Sequence, residues 1–153
     1  MTDNSTSPTT PATRLTLDHA RTIVAAALRH GHDQGFAPLC VAVLDAGGHL
    51  VAFEREDGVA NRRFDVAHAK AHGAISIGAN SRALGEMAEA RPHFVAGVTA
   101  AIGGALVPVA GGVIVLDDSG DRIGAVGISG DTSDNDEAAA IAGITAAGLR
   151  PQE

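Results

Sequence analysis

The densest group of side chains able to do chemistry lies in Asp65-Val66-Ala67-His68-Ala69-Lys70-Ala71-His72. At about 100° per residue along a helix, counted from Phe64, His68 falls at about 40° and His72 at about 80°, so the two imidazoles share one edge. On the same count Lys70 falls at about 240°, beside Val66 and Ile77, and projects from the other side. A single pocket cannot easily use both histidines and the lysine. An imidazole titrates near neutral pH and can act there as a general base. A His pair at i, i+4 can also offer two nitrogens to one metal. The protease pattern HExxH, however, puts a glutamate where this chain has Ala69, and no third ligand stands nearby in sequence. One imidazole on a partly apolar face suits the axial position of a haem iron, with Arg62 or Arg63 to meet the propionates. The plain alternative is a core-edge histidine hydrogen-bonded to a sheet.

Three further groups carry polar information. Gly127-Ile128-Ser129-Gly130-Asp131-Thr132-Ser133-Asp134-Asn135-Asp136-Glu137 joins a strand end to a helix start, where free N–H groups attract anions. Its acids serve either as caps or as partners for Lys70. Gly111-Gly112 lets backbone approach a neighbouring strand or a ligand closely. Asp57-Gly58 is either a simple turn or a rim carboxylate near the start of the His-bearing helix. Ser129 is not in a G-x-S-x-G elbow, the glycines do not spell G-x-G-x-x-G, and no P-loop lysine follows them, which disfavours serine hydrolases, dinucleotide enzymes and P-loop NTPases.

The elements that must hold these groups follow from apolar period and turn residues. Residues 1–14 are mostly Ser, Thr and Pro and read as a disordered tail, with a single domain over 15–150. Thr16 caps a first helix, which Gly31 and Gly35 stop, and His30 and His32 cap its C-terminal end. Leu39–Leu44 is apolar on both alternating faces, as a strand covered on each side requires, and pairs as a hairpin with Leu50–Arg55. A helix runs from Asn61 to about Ile77, and a shorter one from Ser81, its cap, to Glu89. Residues 91–112 read as mostly loop, because Pro92, Gly103-Gly104, Pro108 and Gly111-Gly112 interrupt the pattern. Val113–Leu116 and Ile123–Ile128 form a second hairpin, and a last helix starts at Ser133 or Asp134 and ends at Gly148. Strands in hairpins around a helical block imply an antiparallel sheet with helices packed on it.

Composition narrows the function. The chain has 153 residues, 11 Lys+Arg against 18 Asp+Glu, a formal net charge of −7, one Cys, and no Trp or Tyr. An acidic chain without basic tracts or stacking aromatics is a poor nucleic-acid binder. No apolar run approaches the roughly 20 residues that span a bilayer, and no signal segment opens the chain, so the expectation is a cytoplasmic protein with neither nucleic acid nor membrane as partner. Cys40 lies in an apolar run and reads either as a small buried hydrophobe or as a nucleophile. Glycine numbers 19, which implies elements packed backbone to backbone, and Lys70 is the only lysine.

With these segments placed, the chain resembles the GlcG/HbpS-like family, which includes the C-terminal domain of PduO-type proteins and has members that bind or degrade haem. The resemblance spans residues 15–148. It rests on Leu15-Thr16-Leu17-Asp18-His19-Ala20, Val41–Asp45 with Gly47-Gly48-His49-Leu50, Asp57-Gly58, Ala69-Lys70-Ala71, Gly111-Gly112-Val113, and Ile123–Gly130 followed by Asp136-Glu137. The Ile123–Gly130 segment is the most specific. The resemblance implies an α+β, profilin-like three-layer α/β/α domain with a five-stranded antiparallel sheet flanked by helices, and a tendency to form homo-oligomers. It marks Lys70 as the family's usual lysine, in an ion pair with Asp136 or Glu137. Where the family carries an aromatic and then a threonine after that lysine, this chain has His72 and Gly73, and Ile114 stands for the family's proline.

The expected function is therefore binding of haem or another small molecule, with haem degradation as an extension. The pocket would be bounded by the central helix, Gly111, Gly112 and the loop to Asp136 and Glu137, with His72, then His68, as iron ligand and Arg62 beside the propionates. The alternative is a cofactor-independent isomerase, tautomerase or lyase acting on a small acid, with His72 or Asp57 as base and Lys70 as a further candidate. Haem is the only cofactor these readings call for.

Overall fold

The computed structural model describes residues 13–153. The tail expected over 1–14 falls, apart from Thr13 and Arg14, outside the described residues. Helix α1 spans Leu17–Gln34. The Thr16 hydroxyl accepts the His19 N–H, and the His19 ring accepts the Thr16 N–H, closing a reciprocal N-terminal cap. Gly35, in the left-handed conformation at φ 72°, ends the helix. Gly31 does not stop it. A Cβ there would meet Leu39 Cδ1 at 2.8 Å, so Gly31 is the place where α1 leans on the following chain. His32 stands in the last turn, and its Nε2 lies 2.7 Å from Glu56 Oε2.

Five strands form one sheet in the order β2-β1-β4-β3-β5, every neighbouring pair antiparallel. They are β1 (Cys40–Asp45), β2 (Leu50–Arg55), β3 (Gly112–Leu116), β4 (Arg122–Ser129) and β5 (Arg150–Pro151). Both expected hairpins form. The central strands β1 and β4 are buried along almost their whole length, which explains why they read as continuous apolar runs. β5 is only two residues long, too short to leave an apolar period.

Helix α2 (Arg63–Ile77) lies on one face of the sheet over β1, β4 and β3, while α1 and α5 (Ser133–Ala146) pack together on the other. The result is the three-layer α/β/α arrangement. A Cβ at Gly127 would overlap the Ala67 carbonyl oxygen, so α2 rests directly on the β4 backbone. The main core joins α1, α5 and the inner face of the sheet through Ile23, Val41, Val43, Val126, Ile128 and Ile144.

Residues 91–112, expected as loop, contain helix α4 (Pro92–Ala101), which follows α3 (Ser81–Ala90). Pro92 opens the helix instead of breaking it, since its fixed φ suits the first turn and the N–H it lacks has no helical partner there. Only Val95 of α4 is buried, so the apolar period that marks a helix is faint. Leu84, Val95 and Leu106 make a small second core beneath this pair. Asn80, not Ser81, occupies the cap position of α3. Ser81 is buried, and its hydroxyl accepts the Gly112 N–H at 2.7 Å, tying α3 to β3. The cap of α5 is Thr132, whose hydroxyl accepts the Asn135 N–H. No helix among the described residues is long and apolar enough to cross a membrane.

Candidate functional site

The side chains singled out in the sequence separate into two places. The first is the edge of α2 that faces β2, where a ladder of rings runs Phe53, Phe64, His68, His72. Phe53 and Phe64 meet edge to face at 4.7 Å, and the two imidazoles stack 5.6 Å apart with planes 19° from parallel. The i, i+4 spacing thus puts both imidazoles on one edge, as the helical angles require. His72 Nδ1 lies 2.8 Å from the Ala105 carbonyl oxygen. A carbonyl can only accept, so Nδ1 carries the hydrogen, and in the neutral form of the ring Nε2 holds the lone pair. Nε2 faces the β1–β2 turn at Gly48, where φ is +80° and a Cβ would stand 3.6 Å from it.

Burial, and secondarily the charge of His72, hold the His68 pKa below its ordinary value against an opposing pull from Asp65. A neutral imidazole is the form a metal or a proton acceptor needs. An imidazole lone pair lies in its ring plane, and two stacked planes 19° from parallel scarcely converge, so a single ion cannot take both without a ring turning. No cluster of three or more metal-ligating side chains occurs among the described residues.

α2 packs on β1, β4 and β3 but scarcely on β2, so the α2-facing side of that edge strand lies open. Leu50 is 48% exposed there and Phe53 is half-buried. Phe53, Phe64 and the two imidazoles, each partly exposed, make a shelf of rings beside this strand.

The second place is buried. Lys70 and Asp136 are 2% and 1% exposed, with Lys70 Nζ 3.0 Å from Asp136 Oδ2. Nζ also donates to the Ile128 carbonyl at 2.9 Å, and the Asp131 N–H donates to Asp136 Oδ1. Burial pushes the Asp136 carboxyl upward in pKa, and the adjacent ammonium opposes that shift. A Cβ on Gly111 would lie 2.7 Å from Lys70 Nζ, and one on Gly112 would overlap the Lys70 carbonyl. The close approach that this glycine pair allows is therefore made by Lys70 and its helix. Lys70 points away from the imidazoles, toward α5.

The remaining candidates are scattered. Glu137 accepts from Arg82 Nε at 3.0 Å, bracing α3 against α5. Arg62 is exposed and stands 3.0 Å from the Asp65 carboxylate. Asp57 is exposed and shares a shallow concavity of about 270 Å³ with His32, Phe36 and Glu56, which neither α2 imidazole lines. Cys40 is fully buried, and burial pushes its thiol up to about 11. Sequence reasoning missed the Ala105 carbonyl, Phe53 and the bond from Arg63 to Ser129. The first carries no side-chain signal. The second could have been found by aligning β2 with β1, since Phe53 pairs with Ala42, which packs against α2.

Residues 15–145 match the family model described as haem degrading protein HbpS-like. No curated protein matches the chain in sequence. Among solved structures it is similar to PduOC in complex with haem, at 22% identity over 92% of this chain and 100% of that one, with a TM-score of 0.81. It is similar to HbpS at 27% identity, covering 90% and 93% with a TM-score of 0.75. The ORFY protein of Klebsiella pneumoniae is 21% identical, with 93% and 98% covered and a TM-score of 0.78. At 22% and 21% identity, PduOC and ORFY share the fold.

Proposed function

Because this chain belongs to the HbpS-like family of haem degrading proteins, we propose that it binds haem on the shelf between α2 and β2, with His72 as iron ligand and His68 as the second candidate. The observation that carries this reading is the His72 imidazole. Its Nδ1–H is held by the Ala105 carbonyl, which fixes the tautomer and the ring plane and leaves Nε2 as a ligand nitrogen. The residues fit the group in donor type and in surface: one oriented nitrogen, and Leu50, Phe53 and Phe64 to meet a flat apolar ring. When bound, haem supplies an iron centre able to activate dioxygen and exchange single electrons.

The chain's own part is to bind and orient. His68 stacks on His72 and keeps it from swinging over the shelf. Gly48 leaves room at Nε2 that a side chain would fill. A second copy of the chain would be the natural cover for the exposed side of this shelf, and oxygen would have to enter through whatever opening that cover leaves. Self-association and haem degradation therefore belong to the same reading.

Haemin added to the protein should shift and sharpen the Soret band. His72→Ala should abolish most of the shift, and His68→Ala should weaken it. An unchanged free-haemin spectrum with the intact protein overturns the proposal. Decay of the bound Soret band with reductant and oxygen, accompanied by iron release, tests the degradation step. Turnover of a small acid that needs His72 but no haem would favour acid–base catalysis instead.

A further inference from the structure

Near the start of α2 lies a shallow concavity of about 240 Å³, lined by Ala37, Pro38, Gly58, Val59, Ala60, Arg63 and Gly130. Arg63, an exposed side chain, is the only charged one among the described residues that lines it. In a chain of net charge −7, this guanidinium has no carboxylate within 4.0 Å among the described residues, whereas its neighbour Arg62 is paired with Asp65. Its one side-chain bond runs from Nη1 to the hydroxyl of Ser129, 3.2 Å away, and Ser129 is fully buried. The hydroxyl thus fixes the aim of the cation without neutralising it. The wall amides of Gly58 and Ala60 donate to no other backbone group among the described residues. The rest of the wall is proline, valine and alanine.

An uncompensated guanidinium held toward a concavity by one hydrogen bond is a recognition element for a carboxylate. We propose that this concavity is a subsite for such a carboxylate. Its volume lies below the roughly 300 Å³ at which drug-sized pockets begin, so it admits a small acid or one acid arm of a larger ring. The subsite stands whether or not haem is the protein's ligand, because both sources present the same group.

Benzoate is the probe for a free acid. Titrated to about 100 mM and followed by amide NMR, it should move the Gly58, Ala60 and Gly130 signals saturably, and uncharged methyl benzoate should not. Arg63→Gln can keep a hydrogen bond to Ser129 while losing the charge, and Arg63→Ala loses both. Each should raise the apparent Kd by about tenfold or more. The second arm compares haemin with its dimethyl ester. If the acid arm of haem is the occupant, the intact protein prefers haemin and Arg63→Gln erases that preference. Saturable benzoate shifts that depend on Arg63 support the subsite even if no haemin binds, which separates its fate from that of the haem reading. Benzoate shifts that persist in both variants, or none in the intact protein together with no preference for haemin over its ester, overturn it.

Discussion

At the scale of single residues, burial decides which of the reactive groups are available. Cys40 lies beneath α2 with its thiol pushed up to about 11 by burial, so at pH 7 it stays in the unreactive thiol form. Iodoacetamide should therefore leave the native protein unlabelled and modify it once urea unfolds it; prompt native labelling would contradict this account of the site. The relation between the imidazoles and Lys70 was legible in the sequence, since angular position on one helix sets it. What lies opposite each group was not. Sequence spacing cannot place the Ala105 carbonyl against His72 from 33 residues away, nor reveal that Arg62 turns back to Asp65 while Arg63 reaches Ser129.

At the scale of elements, the glycines divide by what lies beside them. A methyl group at Gly127 would strike the α2 backbone, so Gly127→Ala should cost about 1–3 kcal/mol or more. Gly97 is in the middle of α4 with open space around it, and Gly97→Ala should stabilise by about 0.5–1 kcal/mol through helix propensity alone. Urea denaturation of both variants checks the pair of signs. The same contrast explains how well the elements could be read. β1, β4 and α1 are buried in strong patterns and were legible. α4 was not, because Val95 is its one buried residue, with Val98 partly buried beside the same small core, and β5 was not, because two residues hold no period. The count of five strands came from the family resemblance.

At the scale of the whole molecule, the sheet is covered unequally. One face carries α1 and α5, whereas the other carries α2, which stops short of β2. β2 is also an edge strand, with one row of backbone groups unpaired along the sheet, a position that natural proteins rarely leave bare. If a second copy covers this shelf, Leu50→Lys should reduce the assembly mass in light scattering without changing the circular dichroism of the fold. An assembly of unchanged mass would place the contact elsewhere.

Lys70 also accounts for an oddity of composition. To reach Asp136 its stem passes close against Gly111, where a Cβ would lie 3.0 Å from Lys70 Cδ and 2.7 Å from Nζ. A slim run of methylenes ending in a compact ammonium suits so tight and buried a passage, and the flat three-nitrogen head of arginine is broader. A chain that writes every other permanent cation as arginine is thus obliged to write lysine here. Lys70→Arg, which keeps the charge, should accordingly lower the thermal midpoint by several degrees, as expected of a bolt too thick for its hole.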